Sequence, residues 1–440
     1  MEGASQRIKI GIVGGGVQGL SLAYFLSKNP KYAVTLFERN KNLGGLLGLL
    51  EINGTGFEGF YHHWSGHDTD IMELVEELGL GNRLTRLSSK TGIFYGEKIY
   101  PFGTPMDLLR FSPLGLIDRI RVGLTVLYLK HVKDWRKYEK VAASDWLKKT
   151  MGQRAYDVIW EPLLRGKFGQ HKEEVSMAWM WHRLSWRANA RGKGAVKEEL
   201  VYPRYGFKPI IDALVKKIQE NSGTIKTSIV IDSIFEENGK VAIASGEQEE
   251  IFDKVFVTTP VNVFSRLVKN LPADYLENLK QIKYRAAHVT ILVMNHSLMP
   301  QGYYWLNINN RDIPLLAVIE HTNLLPKEDY GGKTLVYLGN YPDPNDEIMK
   351  MDNEKVIELY CRHLPKINPE FKKEWIDQYF IFKDPAAQPI VDTGYAANIP
   401  DHQTPIPNLY LVTMAQIYPE DRGTSKAIEQ SKKVLEKLGL

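Results

Sequence analysis

The chain has 440 residues, of which 43% are hydrophobic and 25% are charged, a balance typical of globular proteins with more than one domain. Its 56 lysines and arginines against 52 aspartates and glutamates give a net charge of only +4, too small an excess to indicate nucleic-acid binding. The single cysteine, Cys361, excludes an intramolecular disulfide and a cysteine metal cluster. A chain without disulfides is expected in a reducing compartment such as the cytoplasm. No uncharged run reaches the roughly 20 residues that span a bilayer.

The first 40 residues predict a strand, a helix and a second strand. Residues 8–13 have the apolar, β-branched character of a buried parallel strand, residues 20–27 predict a helix, and residues 33–37 predict the next strand. The loop between the first strand and the helix has the G-x-G-x-x-G pattern and comprises Gly14, Gly15, Gly16, Val17, Gln18 and Gly19. This arrangement is typical of a dinucleotide-binding unit.

Each glycine of the pattern has a physical task. Gly14 permits the tight turn, Gly16 lets a pyrophosphate approach the backbone, and Gly19 lets the helix pack closely on the strand. The start of the helix offers free N–H groups and a partial positive charge to phosphate. Glu38 ends the second strand, where its carboxylate can accept hydrogen bonds from ribose hydroxyls. A glycine-rich turn without a ligand is the alternative, and the strand, the helix and the acid together favour the dinucleotide site.

Further motifs occur along the whole chain. A second glycine pair stands in residues 38–46, a Tyr-Pro-Arg-Tyr-Gly-Phe segment in residues 202–207, and a returning strand in residues 255–260. The chain ends with a strand at residues 408–412 and a helix that opens at Arg422. Together these motifs resemble the flavin amine oxidase and protoporphyrinogen oxidase superfamily, to which phytoene desaturases and UDP-galactopyranose mutases are related.

The resemblance implies an α/β fold with a Rossmann-like FAD-binding domain and an inserted α+β substrate domain. The FAD-binding domain is expected in residues 1–70, 195–262 and 390–440. The substrate domain is expected in residues 71–194, which are mostly helical, and in residues 263–389, which are rich in strands. Four of these strands are predicted at residues 288–294, 303–307, 315–320 and 333–340.

FAD contacts follow from the resemblance beyond the first loop. The resemblance implies that the second glycine loop contacts the pyrophosphate, that Val230 contacts the adenine, and that further contacts come from the turn after the returning strand, the residues near the ribitol and the last helix. The residues implied are Arg39, Gly44, Gly45, Leu46, Val230, Thr258, Met414, Arg422, Gly423 and Thr424. The N-terminus of the last helix is expected to face the flavin pyrimidine ring, where its dipole favours negative charge. Two positions depart from the family pattern. Leu46 replaces a frequent basic residue, and residues 413–415 replace a glycine and an acid that contact ribitol.

The first insertion begins with a predicted helix and continues with a basic, apolar stretch. Asp70 and Glu73 predict a capping box for a helix that ends near Leu78. Residues 107–140 predict further helices, with a turn near residues 112–113, and carry Arg110, Arg119, Arg121, Lys130, Lys133, Arg136, Lys137 and Lys140. Such a stretch is typical either of a helix on an anionic membrane surface or of the solvated side of a core helix.

Several residues are candidates for the reaction. His62 and His63 lie in a segment that the superfamily places beside the flavin ring, where a histidine could contact flavin N5 or move a proton. Backbone carbonyls could equally satisfy both rings. Arg165 and Lys167 could meet an anionic group of the substrate or belong to a structural turn. Tyr304, Trp305 and Tyr337 could line the substrate cavity or belong to the core.

Three reactions remain open for a small-molecule substrate that is lipid-like or sugar-linked. The first is hydride transfer between flavin N5 and a C–H or C=C bond. The second is amine oxidation, against which two departures count. The resemblance implies a lysine at flavin N5 near residues 287–288, but the chain has no lysine there. It also implies an aromatic cage residue near the last helix, where this chain has Pro419-Glu420-Asp421. The third is a non-redox sugar-nucleotide mutase. A flavin-binding structural protein has no positive support beyond the missing ribitol acid, and the sequence does not indicate the oligomeric state.

Overall fold

The protein is described from a computed structural model that covers residues 7–189 and 199–440. The strands in these residues are β1 (Ile8–Val13), β2 (Tyr32–Phe37), β3 (Leu50–Ile52), β4 (Thr55–Phe57), β5 (Trp64–Ser65), β6 (Leu84–Ser88), β7 (Thr91–Tyr95), β8 (Lys98–Pro101), β9 (Glu199–Pro203), β10 (Thr224–Lys226), β11 (Ser233–Glu237), β12 (Lys240–Ser245), β13 (Gln248–Phe252), β14 (Lys254–Val257), β15 (Tyr284–Met294), β16 (Trp305–Ile308), β17 (Ala317–Glu320), β18 (Thr334–Asn340), β19 (Ile376–Pro389) and β20 (Leu409–Leu411). The helices are α1 (Val17–Ser27), α2 (Thr69–Glu77), α3 (Pro105–Arg110), α4 (Leu116–His131), α5 (Ala143–Met151), α6 (Gln153–Ala155), α7 (Glu161–Phe168), α8 (Met177–Asn189), α9 (Lys208–Glu220), α10 (Val261–Leu267), α11 (Ala273–Lys280), α12 (Glu347–Lys350), α13 (Asn353–Cys361), α14 (Leu364–Ile367), α15 (Tyr395–Asn398) and α16 (Thr424–Leu438).

A five-stranded parallel sheet forms the nucleotide-binding layer, in the order β10-β2-β1-β14-β20. Val13 at the end of β1 is paired with both Phe37 of β2 and Val257 of β14. The loops after these three strands therefore leave the sheet at one edge, where ligands bind in open α/β sheets. This confirms the α/β fold and the first βαβ unit, whose predicted elements agree with the structure within three residues.

Helices cover one face of the parallel sheet, and the antiparallel sheet β11-β12-β13 covers the other, where a Cβ atom on Gly11 would lie 2.9 Å from Ile243 of β12. Ile10 and Ile12 of β1 are fully buried. Helix α1 packs between the sheet and helices α9 and α16, which come from distant parts of the chain. The buried face of α9 comprises Ile210, Ile211, Leu214 and Ile218, which are all less than 9% exposed. Because their apolar faces are buried together, α1, α9 and α16 form one helical layer although they are far apart in the chain.

A seven-stranded sheet, in the order β19-β15-β18-β17-β16-β7-β8, forms the second layer. The four strands predicted in the second insertion are present as β15, β16, β17 and β18. The structure adds β7 and β8 from the first insertion, because β7 pairs in parallel with β16. It also adds the long edge strand β19, whose mixed polar sequence gave no strand signal. Both insertions thus contribute to one sheet.

The start of α2 differs from the predicted capping box. The helix begins at Thr69, and its N-cap is Asp68, whose carboxylate accepts a hydrogen bond from the backbone N–H of Ser65 at 2.7 Å. Asp70 instead accepts from Lys432 Nζ of α16 at 2.9 Å, and Glu73 accepts from the same amine at 3.3 Å. The two acids therefore join α2 to α16, which a local cap motif could not reveal.

Helices α3 to α8 form a layer beside the two sheets. The predicted turn near residues 112–113 is confirmed, since α3 ends at Arg110 and α4 begins at Leu116. Helix α4 packs on α8, and Trp181 Nε1 donates to the carbonyl of Leu129 at 3.2 Å. Within the described residues, no helix has both the length and the apolar character needed to cross a bilayer.

Candidate functional site

The two glycine loops touch each other at the edge of the parallel sheet. Gly16 and Gly44 form a parallel bridge, and the N–H of Gly44 donates to the carbonyl of Gly15 at 2.8 Å. A Cβ atom on Gly45 would lie 3.0 Å from the Cα of Gly16, and the φ of Gly45 is +56°. A side chain at Gly45 would crowd Gly16 and strain the backbone, so the contact between the loops favours glycine at this position.

The predicted close packing of the first helix is observed at Gly19. A Cβ atom there would lie 1.9 Å from the carbonyl oxygen of Gly14, which is far inside contact distance. Gly14 itself has a φ of +114°, a conformation that other residues rarely adopt. The turn and the helix contact are therefore fixed by two glycines, as the pattern predicts.

Glu38 is buried beside the first loop. Its Oε2 accepts from the N–H of Gly15 at 2.7 Å, and its Oε1 accepts from the N–H of Asn40 at 2.8 Å. Each carboxylate oxygen can accept a second hydrogen bond, so the acid can still bind a ribose. The carbonyl of Glu38 accepts from Ile229, which brings Val230 to the same edge with 61% of its side chain exposed.

Two helices present their N-termini without side-chain caps. Helix α1 has Gly16 at its N-cap and α16 has Gly423, and neither N-cap residue contributes a side-chain hydrogen bond. Gln18 Nε2 joins the two helices by donating to the carbonyl of Ala427 at 2.9 Å and to Ser431 Oγ at 2.8 Å. Both positive helix ends are thus available to an anionic cofactor.

The remaining predicted cofactor residues lie around this edge, some with structural contacts of their own. Thr258 Oγ1 donates to the carbonyl of Val13 at 3.1 Å, and Thr424 Oγ1 accepts from Trp64 Nε1 at 2.7 Å. Met414 opens a short 3-10 turn. Arg39 is exposed and Leu46 is half-buried. Direct contact of each residue with FAD stays a prediction.

The glycine contacts, the open helix ends and the buried acid suit a dinucleotide that carries a pyrophosphate and a ribose. At residues 413–415, which replace the family's glycine and acid, the N–H of Thr413 donates to Gln416 Oε1 at 2.8 Å. The residues present therefore fit a bound FAD at its pyrophosphate and ribose, while the ribitol contacts stay a prediction.

A cluster of charged side chains lies at the start of α16. Lys167 Nζ donates to both carboxylate oxygens of Asp421 at 3.1 Å, and Arg183 Nη1 donates to Oδ2 at 2.7 Å. Arg422 follows Asp421, and its guanidinium and the Lys167 amine lie 5.9 Å and 6.0 Å from the ring centre of Tyr341. Lys167 and Arg183 thus bind the carboxylate directly, and Arg422 acts on it through its charge, so the three cations and one acid have a net positive charge.

Burial sets the protonation of this cluster. It lowers the pKa of Lys167 to about 7, against the opposing attraction of Asp421. Burial alone would raise the pKa of Asp421, but Lys167, Arg183 and Arg422 outweigh it and hold the pKa well below its usual range. Asp421 is therefore ionised at neutral pH, and Lys167 changes charge near pH 7.

The two candidate histidines have different partners. His62 Nδ1 contacts the carbonyl of Phe60, and burial lowers its pKa to about 4, with further lowering by Arg422 and His63. Because a carbonyl can only accept, the proton of the neutral ring lies on Nδ1 and leaves Nε2 as an acceptor. His63 Nδ1 lies 3.0 Å from the hydroxyl of Tyr304. The charge of Arg422 therefore acts on His62, whereas His63 is oriented by Tyr304.

Tyr304 and Tyr337 are core side chains in this structure, 1% and 0% exposed. Their rings pack on Tyr61, whose ring centre lies 4.9 Å from that of Tyr337 and whose hydroxyl contacts that of Tyr304. They support the loop that carries His62 and His63. A direct contact with substrate stays a prediction for both tyrosines.

Glu58 was not singled out by the sequence, yet it is a fully buried acid beside this aromatic group. Its carboxylate accepts from the hydroxyl of Tyr202 at 2.7 Å and from the N–H of Phe207 at 3.1 Å. Burial raises its pKa to about 8. The one available signal was an acid inside the apolar residues 57–64.

The positions that argue against amine oxidation can now be placed. His288 lies on β15 with its ring directed to Tyr360, 3.3 Å from that hydroxyl, in the core on the far side of the sheet.

The substrate candidate Arg165 has a partner within its own helix. Arg165 Nε is 3.4 Å from Glu161 Oε2, so this arginine belongs to an ion pair within α7.

The chain is similar to several known proteins. The family described as flavin containing amine oxidoreductase matches residues 19–430. A coproporphyrinogen III oxidase of Staphylococcus aureus is 24% identical over 96% of this chain and 94% of its own length. An Exiguobacterium protein provisionally assigned as a protoporphyrinogen oxidase has a solved structure with a TM-score of 0.80 and 19% identity, which covers 99% of both chains.

A reduced UDP-galactopyranose mutase is also similar in structure, with a TM-score of 0.75, 16% identity, and 98% and 96% of the two chains covered. At such low identity the structural likenesses show the fold alone. The family match spans most of the chain, and the chain belongs to the flavin-containing amine oxidoreductases. It is an FAD-dependent oxidoreductase with a Rossmann-like cofactor domain and a substrate domain.

Proposed function

We propose that this flavoenzyme oxidises a porphyrinogen that carries carboxylate side chains. The observation that carries the proposal is the cluster of Lys167, Arg183 and Arg422 around the single carboxylate of Asp421. Its net positive charge lies at the N-terminus of α16, which the family resemblance places at the flavin pyrimidine ring. A substrate anion is attracted to such a partly buried cationic site.

The named relatives support a porphyrinogen over other substrates. The Staphylococcus aureus relative is a coproporphyrinogen III oxidase and aligns with nearly the whole of this chain. A protoporphyrinogen oxidase of Schizosaccharomyces pombe is 24% identical to this chain over a shorter alignment, which covers 39% of this chain. Oxidation of a porphyrinogen is the first of the three reactions left open by the sequence, hydride transfer from a C–H bond.

Bound FAD would supply the hydride acceptor, and the protein would position the substrate. We assign the pyrophosphate and ribose contacts to the two glycine loops and Glu38. Lys167 and Arg422 would bind a substrate carboxylate, with Asp421 holding the lysine in place. His62 would offer Nε2 as a hydrogen-bond acceptor to an N–H group, because its proton is on Nδ1. The free N–H groups of α16 would favour negative charge on the flavin.

The test is turnover of coproporphyrinogen III by the FAD-loaded protein in the presence of oxygen or an added electron acceptor that reoxidises the flavin, followed by porphyrin fluorescence. We expect oxidation, and we expect Lys167→Met to raise KM more than it lowers kcat, because it removes a binding charge. Lys216→Met on the exposed side of α9 is the matched control and should leave both unchanged. No oxidation of coproporphyrinogen III or protoporphyrinogen IX would contradict the proposal.

A sugar-nucleotide mutase is the second candidate, favoured by the similar fold and by the histidine-containing segment that the resemblance places beside the flavin ring. It predicts turnover of UDP-galactopyranose only after the flavin has been reduced, with no net redox change. The same protein preparation can be assayed for both reactions, so one experiment separates them.

We propose a cytoplasmic location for the reaction, with the protein at a membrane surface. The single half-buried thiol of Cys361, whose pKa burial raises, is compatible with a reducing compartment. Cell fractionation tests the location, and recovery from an oxidising compartment would contradict it.

A further inference from the structure

Apolar side chains on helices α3 and α4 point into solvent. Of eleven large hydrophobic side chains exposed in the described residues, eight lie between residues 106 and 128. Six are on α4, and they are Leu116, Ile117, Ile120, Leu124, Leu127 and Tyr128, each 47–74% exposed. Met106 and Leu109 on α3 are 50% and 47% exposed. These eight side chains are called the α3–α4 face below. Such a concentration marks an interaction surface.

The α3–α4 face is additional to the side of α4 that the core uses. Val122 and Leu129 are fully buried on the opposite side, where Trp181 of α8 donates to the Leu129 carbonyl. Ile117, Ile120 and Leu124 follow the spacing of a single stripe on a helix. The sequence left open a solvated polar side for this helix, whereas the structure directs an apolar stripe outward.

Charge indicates what this face contacts. Residues 105–140 contain eight lysines and arginines and four acids, an excess of four that equals the net charge of the whole chain. The rest of the chain is therefore electrically balanced. Lys130, Lys133, Arg136 and Lys137 are exposed just beyond the apolar stripe. Outward apolar residues next to a group of cations are typical of helices that lie on anionic bilayers.

We propose that the α3–α4 face docks the protein on a membrane surface that contains anionic phospholipids. The leucine and isoleucine side chains enter the boundary between headgroups and acyl chains, and the cations beyond them bind the headgroups. Self-association explains the face less well. A symmetric dimer brings the same patch of two copies together, and four excess positive charges would then face four more.

Docking would also place the membrane close to the charged cluster. Helix α4 packs on α8, and α8 carries Arg183, which binds Asp421. One helix therefore separates the docked surface from the proposed carboxylate site. This link explains why the surface lies in the substrate layer. The docking itself does not depend on the proposed reaction.

The test is sedimentation of the FAD-loaded protein with vesicles of phosphatidylcholine alone or mixed with phosphatidylglycerol. We expect binding to the mixed vesicles that weakens with salt, because exposed charges are screened. The double variant Ile117→Glu/Leu124→Glu should reduce binding at least about tenfold. The control is Ile251→Glu, which makes the same change at another isoleucine that is 42% exposed and should bind like the wild type.

A second pair of variants tests the cations. Lys130→Glu/Lys133→Glu should weaken binding to the mixed vesicles and reduce its salt dependence, whereas Lys216→Glu on α9 should do neither. Equal FAD content and thermal stability will show that the variants are folded. Wild-type protein that stays in the supernatant with both vesicles at low salt overturns the proposal. A dimer that Ile117→Glu/Leu124→Glu dissociates, without vesicle binding, overturns it in favour of self-association.

Discussion

Lys167 Nζ lies 3.1 Å from each carboxylate oxygen of Asp421, although the two residues are 254 positions apart. The contact joins α7 of the substrate layer to the loop that leads into α16, and Arg183 of α8 binds the same carboxylate. One acid thus holds two helices of the substrate layer against the predicted flavin site. This relationship gives the first prediction.

Asp421→Asn should destabilise the fold by about 2–3 kcal/mol, because it leaves neighbouring buried cations without their counter-charge. Thermal and urea unfolding measure the effect. The double variant Asp421→Asn/Lys167→Met should recover part of the loss, since it removes one of the cations. Asp312→Asn is the control, because it breaks a surface pair with Lys366 and should cost less than about 1 kcal/mol. Equal losses at the two positions would contradict this account of the cluster.

The KM for a carboxylated porphyrinogen should depend on pH through Lys167. The pKa of this amine is lowered by burial to about 7, so the amine is charged below pH 7 and loses its charge above it. KM should therefore rise as pH increases from 6 to 8. Lys167→Met should show a raised KM at pH 6 and little further change. A wild-type KM that falls over this range would contradict the assigned role.

Glu38→Ala should lower FAD affinity at least about tenfold, because it removes the ribose acceptor and a hydrogen bond that orders Gly15. Titration of the FAD-free protein by flavin fluorescence measures the dissociation constant. Glu247→Ala, on an exposed turn, is the control and should bind FAD as the wild type does. Unchanged FAD affinity in Glu38→Ala would refute the ribose assignment.

Glu58 should make the protein less stable as pH rises. Its folded-state pKa is raised from 4.5 to about 8, so its stabilising contribution is complete below pH 4.5 and is lost as pH rises through 8. Since one pKa unit is worth about 1.4 kcal/mol, Glu58→Gln should gain on the order of 2–4 kcal/mol relative to the wild type between pH 5 and pH 8. Urea unfolding at both pH values measures this, with the exposed Glu374→Gln as the control. A loss of the same size at both pH values would contradict the raised pKa.

The cofactor layer could be predicted from sequence because its signals are local. The loop from Gly14 to Gly19 identifies the turn, the flanking apolar residues identify the strand and the helix, and Glu38 follows at the end of the next strand. The last helix was found in the same way, since Gly423 and an apolar stripe lie next to each other in the chain. Family resemblance then supplied FAD, which the G-x-G-x-x-G pattern alone does not distinguish from other dinucleotides.

The parts that could not be predicted depend on residues far apart in sequence. Asp421 was noted only as a replacement for an aromatic residue, because its role requires Lys167 and Arg183. The buried carboxylate of Glu58 accepts a hydrogen bond from Tyr202, which lies 144 positions away in the chain. Helix α4 is apolar on more than one side, and sequence periodicity cannot tell which side faces the core.

The most direct test of the central claim is anaerobic mixing of the FAD-loaded protein with coproporphyrinogen III, followed by the visible absorbance of the flavin. The account predicts that the flavin bleaches as it accepts the first two electrons of the six that a porphyrinogen must lose, and that an added electron acceptor restores the flavin colour and allows porphyrin to accumulate. Coproporphyrin III, which is already oxidised, should leave the spectrum unchanged. A flavin that stays oxidised in the presence of coproporphyrinogen III and protoporphyrinogen IX would contradict the proposed reaction.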